Sequence, residues 1–197
     1  MSDRTSIVDL LAALEGVFRG LGARWYLFGA QAVTVWGRPR MSADVDVTAE
    51  LDLATVPAFL EVMARAGFEL RVHTGVEDFV ARTRVLPFLH TATRMPLDVV
   101  LAGPGLEEEF LARAQRVDLG GIVVPVLAAE DLIVTKTLAG RPKDREDVVG
   151  VLRERGARLD LEQIRGTLRL LEQALDQSDL IAAFEADLGR ANGEESR

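Results

Sequence analysis

Two aspartates, Asp44 and Asp46, are separated by one residue within the apolar segment SADVDVTA. Successive side chains of a β-strand point to opposite faces, so both carboxylates would lie on one face and Val45 and Val47 on the other. Carboxylates that close raise each other's pKa and repel each other unless a cation lies between them. Their oxygens suit magnesium or manganese. The spacing therefore indicates a divalent-metal site, and a solvent-facing strand edge with two acids is the alternative interpretation.

A third aspartate, Asp98, lies in a second apolar segment, PLDVVL, where valine again follows the acid. If the two segments form neighbouring strands, Asp98 lies beside the first pair. Three carboxylates on adjacent strands can hold two metal ions, which activate a nucleophile and stabilise the leaving oxygen in phosphoryl transfer. Gly29 precedes a short helical segment, so its backbone can approach a phosphate and donate an N–H group. The alternative interpretation of Gly29 is an ordinary tight turn.

Strands and helices must position these residues, and the spacing of apolar residues predicts both. Helical spacing predicts an amphipathic helix over residues 6–21. Residues 25–28 predict a buried strand, Gly29 a turn, and the residues up to Trp36 a short helix. The next predicted elements are a helix over 53–66, a helix that opens with Glu107 to Glu109, and strands over 44–48, 68–72, 79–86 and 96–101. Beyond Pro125 the patterns are helical, over 128–138, 143–155, 161–175 and 179–188.

This change in pattern predicts two domains and a tail. Residues 1–124 combine strands and helices, so we expect an α/β (α+β) domain in which helices flank a mixed sheet. Residues 125–190 are expected to form a helical domain. The polar end of the chain, residues 191–197, is expected to be a flexible tail.

The overall composition excludes several classes of site. The 197 residues include no cysteine, which excludes disulfides and thiolate metal sites and fits a reducing, cytoplasmic location. The formal net charge of −8 argues against a broad basic face for nucleic acid, although a local basic site is compatible with it. No segment approaches the roughly 20 apolar residues of a membrane span, and the amino-terminal segment does not resemble a signal peptide. We therefore expect no membrane association.

The segment FGAQAVTVWGRPRMSADVDV, residues 28–47, resembles the signature of the nucleotidyltransferase superfamily. In that signature a Gly-Gly or Gly-Ser turn opens a helix, a D-x-D strand follows, and a third acid lies on a later strand. Within the superfamily, the segment is similar to the form found in AbiE-type toxins and related minimal nucleotidyltransferases. The segment AAEDLIVTKTLAGRPKDREDV, residues 128–148, resembles their helix pair, in which a lysine precedes an arginine and two aspartates. Aminoglycoside nucleotidyltransferases carry a similar amino-terminal signature, so that branch stays open.

The resemblance implies roles for individual residues. Asp44, Asp46 and Asp98 match the metal-binding and catalytic acids, and Asp98 matches the acid that helps to activate the acceptor hydroxyl. The residues matched to nucleotide binding are Gly29, Ala30, Arg40, Ser42, Lys136, Arg141, Lys143 and Asp144. Ala30 replaces the usual glycine or serine of the phosphate turn, so only backbone donors remain there. For the later residues, the alternative interpretations are a lysine that extends to solvent and acids that stabilise a helix N-terminus.

The reaction that the resemblance implies is metal-dependent transfer of a nucleoside monophosphate from an NTP to an acceptor hydroxyl, with release of pyrophosphate. The implied cofactor is Mg²⁺ or Mn²⁺. The implied partners are an NTP, a tRNA or protein acceptor and, in a toxin-antitoxin system, a cognate antitoxin. Two further hypotheses are a small-molecule nucleotidyltransferase of the aminoglycoside type and a noncatalytic nucleotide-binding or interaction module.

Overall fold

A computed structural model describes residues 2–40 and 42–193, and over these ranges seven strands form one mixed sheet. The strands are β1 (Trp25–Phe28), β2 (Val45–Ala49), β3 (Phe68–Leu70), β4 (Val85–His90), β5 (Met95–Leu101), β6 (Gln115–Asp118) and β7 (Val123–Val126). The helices are α1 (Ser2–Leu21), α2 (Gly29–Trp36), α3 (Val56–Arg65), α4 (Val76–Thr83), α5 (Leu106–Arg113), α6 (Ala129–Ala139), α7 (Pro142–Arg155), α8 (Leu161–Leu175) and α9 (Leu180–Asn192). This combination of a mixed sheet with helices confirms the predicted α/β fold class. In the described part of the chain, no helix is both long enough and apolar enough to cross a membrane.

The strand order places β2 at the centre of the sheet. The order is β3-β4-β5-β2-β1-β7-β6, with β2 antiparallel to β1 and parallel to β5. The parallel register aligns Asp46 of β2 with Asp98 of β5. On the other side, Asp46 pairs with Phe28, the last residue of β1. Two of the three predicted acids are therefore direct neighbours in the sheet.

Burial alternates along the strands, so one face of the sheet is apolar. In β4, Phe88 and His90 are buried while Pro87 and Leu89 are partly exposed. In β5, Leu97 and Val99 are buried and Asp98 lies between them. Because side chains alternate along a strand, Asp98 points to the face opposite the apolar core.

The chain divides into two compact units. Within the described residues, the first contains the chain up to Gln31 and from residue 42 to Leu127, whereas the second contains residues 32–40 and the chain from Ala128. The first unit therefore contains the whole sheet, and the second contains helices α6 to α9.

Aromatic rings form much of the core of the first unit. The ring of Phe18 in α1 stacks on Trp25 at 5.1 Å and on Phe59 of α3 at 5.9 Å between centroids. Phe59 also meets Phe88 of β4 edge to face at 6.1 Å. Such ring pairs stabilise the core beyond the area that they bury. They join two helices to one face of the sheet, and Asp98 lies on the opposite face.

The second unit is a helical cluster. Helices α7 and α8 each pack against both α6 and α9. Buried side chains of this core include Leu132, Val148 and Phe184. The segment that follows α2 lies close to α7, because a Cβ added to Gly37 would lie 3.0 Å from Val151 Cγ2. A larger residue at position 37 would therefore require a shift of α7.

One predicted strand is partly wrong. Over the predicted strand 79–86, the chain first forms helix α4 and begins strand β4 only at Val85. Glu77 and Asp78 lie in the first turn of α4, where carboxylates complement the positive end of the helix dipole. Arg84 ends the helix in the left-handed conformation, with φ 55°. These end effects outweigh the β-forming character of Phe79 and Val80.

Strands β6 and β7 are not predicted from the sequence. Each has only four residues, and β7 contains Pro125, which cannot donate a backbone hydrogen bond. Pairing between the two strands nevertheless forms an antiparallel hairpin, and β7 also pairs with β1. At the other end of the chain, α9 continues to Asn192, and residues 194–197 of the predicted tail lie outside the described residues.

Candidate active site

Asp46 and Asp98 form the centre of the candidate site. They are aligned on adjacent parallel strands, and neighbouring strands lie about 4.8 Å apart. Side chains that are paired across strands in this way point to the same face of the sheet. Both residues are partly exposed, with 34% of the Asp98 side chain accessible. The sheet therefore presents two carboxylates side by side on the face opposite its aromatic core.

Asp44 is not part of this pair. It lies one residue before β2, is exposed, and accepts a hydrogen bond from Ser42 Oγ at 2.6 Å. Because β2 begins at Val45, the alternation of a strand does not fix the direction of the Asp44 side chain. Over residues 2–40 and 42–193, no three histidine, cysteine, aspartate or glutamate residues are grouped so as to hold a metal ion. The structure brings together two of the three predicted metal ligands.

Gly29 lies directly against Asp46. It is the first residue of α2, with φ 63°, and a Cβ added there would lie 2.2 Å from Asp46 Oδ2. Any larger side chain at position 29 would therefore displace the carboxylate. Ala30, the next residue, is buried, with 5% of its surface exposed. The start of α2 places backbone N–H groups close to Asp46, and such groups favour anions.

Arg71 is a site residue that the sequence patterns do not predict. It follows the last residue of β3, and its Nη2 atom donates a hydrogen bond to Asp98 Oδ1. The Arg71 side chain is 43% exposed, so this ion pair remains in contact with solvent. Only the strand register, which is not apparent in local sequence, indicates that Arg71 and Asp98 are close.

Four predicted residues of the second unit, Arg40, Lys136, Arg141 and Asp144, belong to an ion-pair cluster whose acids are buried. Lys136 Nζ lies 2.7 Å from Asp144 Oδ1 and 2.9 Å from Asp147 Oδ2. Arg40 donates to both oxygens of Asp147, at 3.1 and 3.2 Å. Arg141 donates to Asp144 from its position directly before α7. The cluster therefore joins α6, α7 and the segment that contains Arg40.

The cations of the cluster stabilise the ionised form of its most buried acid, Asp144. Asp144 is fully buried, and burial on its own would raise its pKa. Hydrogen bonds from Arg141 and Lys136 outweigh this effect and hold the pKa of Asp144 below its ordinary value. Asp144 is therefore ionised at neutral pH, and Lys136 is paired with two carboxylates. Lys143, by contrast, is exposed on the first turn of α7.

A family model identifies the chain. Residues 22–176 match the model described as "Nucleotidyltransferase of unknown function (DUF6036)". The chain belongs to this nucleotidyltransferase family. The predicted superfamily is therefore confirmed, and the assignment to AbiE-type toxins stays a prediction. No curated protein sequence matches the chain.

Solved structures with a similar fold include nucleotidyltransferases that modify antibiotics. The antibiotic-resistance factor ANT(2″)-Ia is 16% identical over 88% of this chain and 94% of its own, with a TM-score of 0.57. The lincosamide antibiotic adenylyltransferase LnuA, solved with lincomycin, is 12% identical over 73% and 94%, with a TM-score of 0.50. An antigenic nucleotidyltransferase-like protein from Paracoccidioides brasiliensis is 16% identical over 93% of each chain, with a TM-score of 0.55. At these identities the likeness shows a common fold.

Proposed function

We propose that the protein transfers a nucleoside monophosphate from an NTP to a hydroxyl group of an acceptor and releases pyrophosphate. The observation that carries this proposal is the alignment of Asp46 with Asp98, with the start of α2 at Gly29 against Asp46. Two carboxylates beside the start of a helix provide complementary sites for a cation and for the phosphates that accompany it.

The donor set fits a divalent cation such as Mg²⁺ or Mn²⁺. Asp46 and Asp98 supply hard carboxylate oxygens, which these ions prefer, and they lie on a rigid pair of strands. We propose them, with Asp44, as the metal ligands. When bound, the cation neutralises charge on the phosphates and lowers the energy of the transition state.

The residues of the chain then orient the reactants and receive the proton. The acceptor oxygen forms a bond to the α-phosphorus, and the bond from that phosphorus to the bridging oxygen of the β-phosphate breaks. Pyrophosphate leaves with the electron pair of the broken bond. We propose that Asp98 accepts the proton of the acceptor hydroxyl. Backbone N–H groups of Gly29 and Ala30 donate to the phosphates, a role that the alanine side chain does not prevent.

Most of the other predicted nucleotide-binding residues are already engaged in ion pairs or hydrogen bonds. Arg40, Lys136, Arg141 and Asp144 are engaged with one another or with Asp147, so nucleotide contact would require some of these ion pairs to open. Exposed Lys143 needs no such change. The Ser42 hydroxyl can donate to the nucleotide only if it gives up its hydrogen bond to Asp44.

We propose a tRNA or protein acceptor, in a toxin-antitoxin setting with a cognate antitoxin, on the basis of the resemblance to AbiE-type toxins. A small-molecule hydroxyl is the second candidate, because antibiotic adenylyltransferases share the fold. The formal net charge of −8 disfavours an extended nucleic-acid interface. It is compatible with a protein acceptor, a small-molecule acceptor or a small contact with tRNA.

The test is transfer of label from each of the four α-³²P-labelled NTPs, with magnesium, to three acceptor pools. These pools are total tRNA, cellular protein, and a panel of aminoglycosides and lincosamides. Label in one pool that disappears with Asp46→Asn identifies the acceptor class. Binding of an NTP without transfer or pyrophosphate release in any combination would exclude the catalytic proposal and favour a noncatalytic nucleotide-binding module. Absence of NTP binding as well would leave an interaction module.

A further inference from the structure

A single row of residues crosses the face of the sheet opposite its aromatic core and passes through the proposed site. The backbone N–H of Arg71 donates to the carbonyl of Pro87 at 2.8 Å, which continues the pairing of β3 with β4. Pro87 is paired with Asp98, and Asp98 is paired with Asp46. Arg71 therefore occupies the same row as the two acids, with β4 between it and Asp98.

The Arg71 side chain crosses β4 to reach Asp98. Two strand spacings, about 10 Å, separate the backbone positions, and a long side chain is needed to cover that distance. Pro87 lies beneath this path and has a compact ring. The guanidinium ends at Asp98 Oδ1, and the Arg71 side chain as a whole is 43% exposed. Its charge is therefore held at the edge of the acid pair without being enclosed by the protein.

We propose that Arg71 is a phosphate-binding residue of the transfer site, held by Asp98 until the cation and the NTP bind. This inference rests on the proposed function. Once Asp98 binds the metal cation, its negative charge no longer neutralises the Arg71 guanidinium. The metal ion and the guanidinium, both positive and both beside one carboxylate, then repel each other. The planar guanidinium fork matches the geometry of phosphate oxygens, so a triphosphate on this face offers Arg71 a stronger partner.

Exchange of partners by Arg71 has a signature that a purely structural ion pair lacks. Without nucleotide, Arg71 competes with the cation for Asp98, so Arg71→Gln should bind Mn²⁺ about two- to fivefold more tightly, the range for a solvent-exposed ion pair. With nucleotide, the same variant lacks a charge-assisted phosphate contact, and its affinity should fall by about tenfold or more. The two effects have opposite signs.

The experiment measures both affinities on the folded full chain. Isothermal titration calorimetry with Mn²⁺ alone gives the first affinity. The α,β-methylene analogues of the four NTPs, which cannot transfer the nucleotide, give the second in the presence of magnesium. Arg71→Lys keeps the charge but loses the fork, so its values should lie between those of the wild type and Arg71→Gln. Arg82→Gln is the matched control, because Arg82 is exposed on α4 and donates to the carbonyl of Asp78.

The outcomes separate this inference from the proposed function. If the wild type binds an analogue in a manner that Asp46→Asn abolishes, and Arg71→Gln changes neither affinity, the inference is wrong and the proposed function stands. A fall in both affinities would also overturn it, since Arg71 would then only hold Asp98 in place. If no analogue binds the wild type, the proposed function fails and the inference fails with it. Thermal melts of each variant establish that it is folded, and Arg71→Lys provides the comparison if Arg71→Gln melts early.

Discussion

At Gly29, a positive φ of 63° and the nearby carboxylate of Asp46 impose separate requirements on the same residue. The backbone conformation alone costs an L-residue about 1–2 kcal/mol. The carboxylate allows no Cβ, because that atom would lie 2.2 Å from Asp46 Oδ2. A side chain at position 29 must therefore change both the local backbone energy and the direction of Asp46.

Gly29→Ala should lower the free energy of unfolding by more than the conformational cost alone and should reduce transfer activity. Gly75→Ala is the matched control: Gly75 has φ 62°, and a Cβ there meets no atom within 4 Å. Urea denaturation of both variants gives their free energies of unfolding, and the extra destabilisation of Gly29→Ala over Gly75→Ala measures the clash with Asp46. In the double variant Gly29→Ala/Asp46→Ala, this extra destabilisation should disappear. Equal destabilisation of the two glycine variants would show that Asp46 moves aside without cost.

Asp46→Asn and Asp98→Asn should abolish transfer while preserving the fold, because asparagine keeps the size of aspartate and removes its charge. Their stabilities should differ. Asp46→Asn removes repulsion between the paired acids and keeps a side-chain oxygen that accepts hydrogen bonds, so its melting temperature should be equal to or above that of the wild type. Asp98→Asn also removes the ion pair with Arg71, which offsets that gain. Thermal melts with and without magnesium, alongside the labelled-NTP assay, provide the test; variants that melt lower and respond to magnesium as the wild type does would identify the acids as structural.

At the scale of elements, Lys136 connects α6 with α7 through two buried acids. Lys136→Met keeps an unbranched side chain but leaves Asp144 and Asp147 short of a cation in a buried site. Loss of one partner from a buried ion pair costs about 3–5 kcal/mol when the remaining charge is left uncompensated. Arg141 and Arg40 still donate to these acids in the variant, so we expect a smaller loss, about 1.5–3 kcal/mol, in the free energy of unfolding, measured by urea denaturation.

Lys143→Met is the control for this change, because exposed Lys143 lies on the same helix pair. Surface substitutions of this kind usually change stability by no more than about 0.5 kcal/mol. If Lys136→Met were as stable as Lys143→Met but bound nucleotide more weakly, the result would contradict the structural role of Lys136 and support the predicted contact with phosphate.

Local patterns predict the elements better than they predict the partners of individual side chains. The valines around Asp46 and Asp98 predict two buried strands, and the strands are present. The contact of Arg71 with Asp98 depends on the order β3-β4-β5, and local spacing does not contain that order. Arg40 and Asp147 likewise meet only through tertiary packing, since 107 residues separate them.

At the scale of the whole molecule, the stability of the fold should decrease in mild acid through His90. This side chain is 5% exposed, packs on Phe68 at 4.9 Å and pairs with the Thr93 hydroxyl. Burial lowers the pKa of His90, and the opposing charge of Asp9 is the smaller effect. The unfolded chain therefore binds the proton more readily than the folded protein does. Stability should be full above pH of about 6.5, the unfolded value, and should fall as the pH drops below it.

Unfolding free energies between pH 8 and pH 5 measure this effect, and His90→Gln should flatten the decrease. Exposed His73 supplies the comparison variant, His73→Gln. Below about pH 4, Asp144 adds a further loss: its folded pKa is lowered, so its contribution is present above the unfolded value and disappears as the pH falls through the folded one. If the free energy of unfolding of His90→Gln still decreased between pH 7 and pH 5, groups other than His90 would cause the decrease.

The parallel alignment of Asp46 with Asp98 also affects the order of events during folding. No hairpin can form this pair, because parallel strands require a crossover, and here the crossover includes α3, β3, α4 and β4. A ribosome-bound chain therefore cannot assemble the two acids until β5 has emerged. Pairings between distant segments form slowly, so we expect refolding in milliseconds to seconds, with activity recovered later than helical circular dichroism.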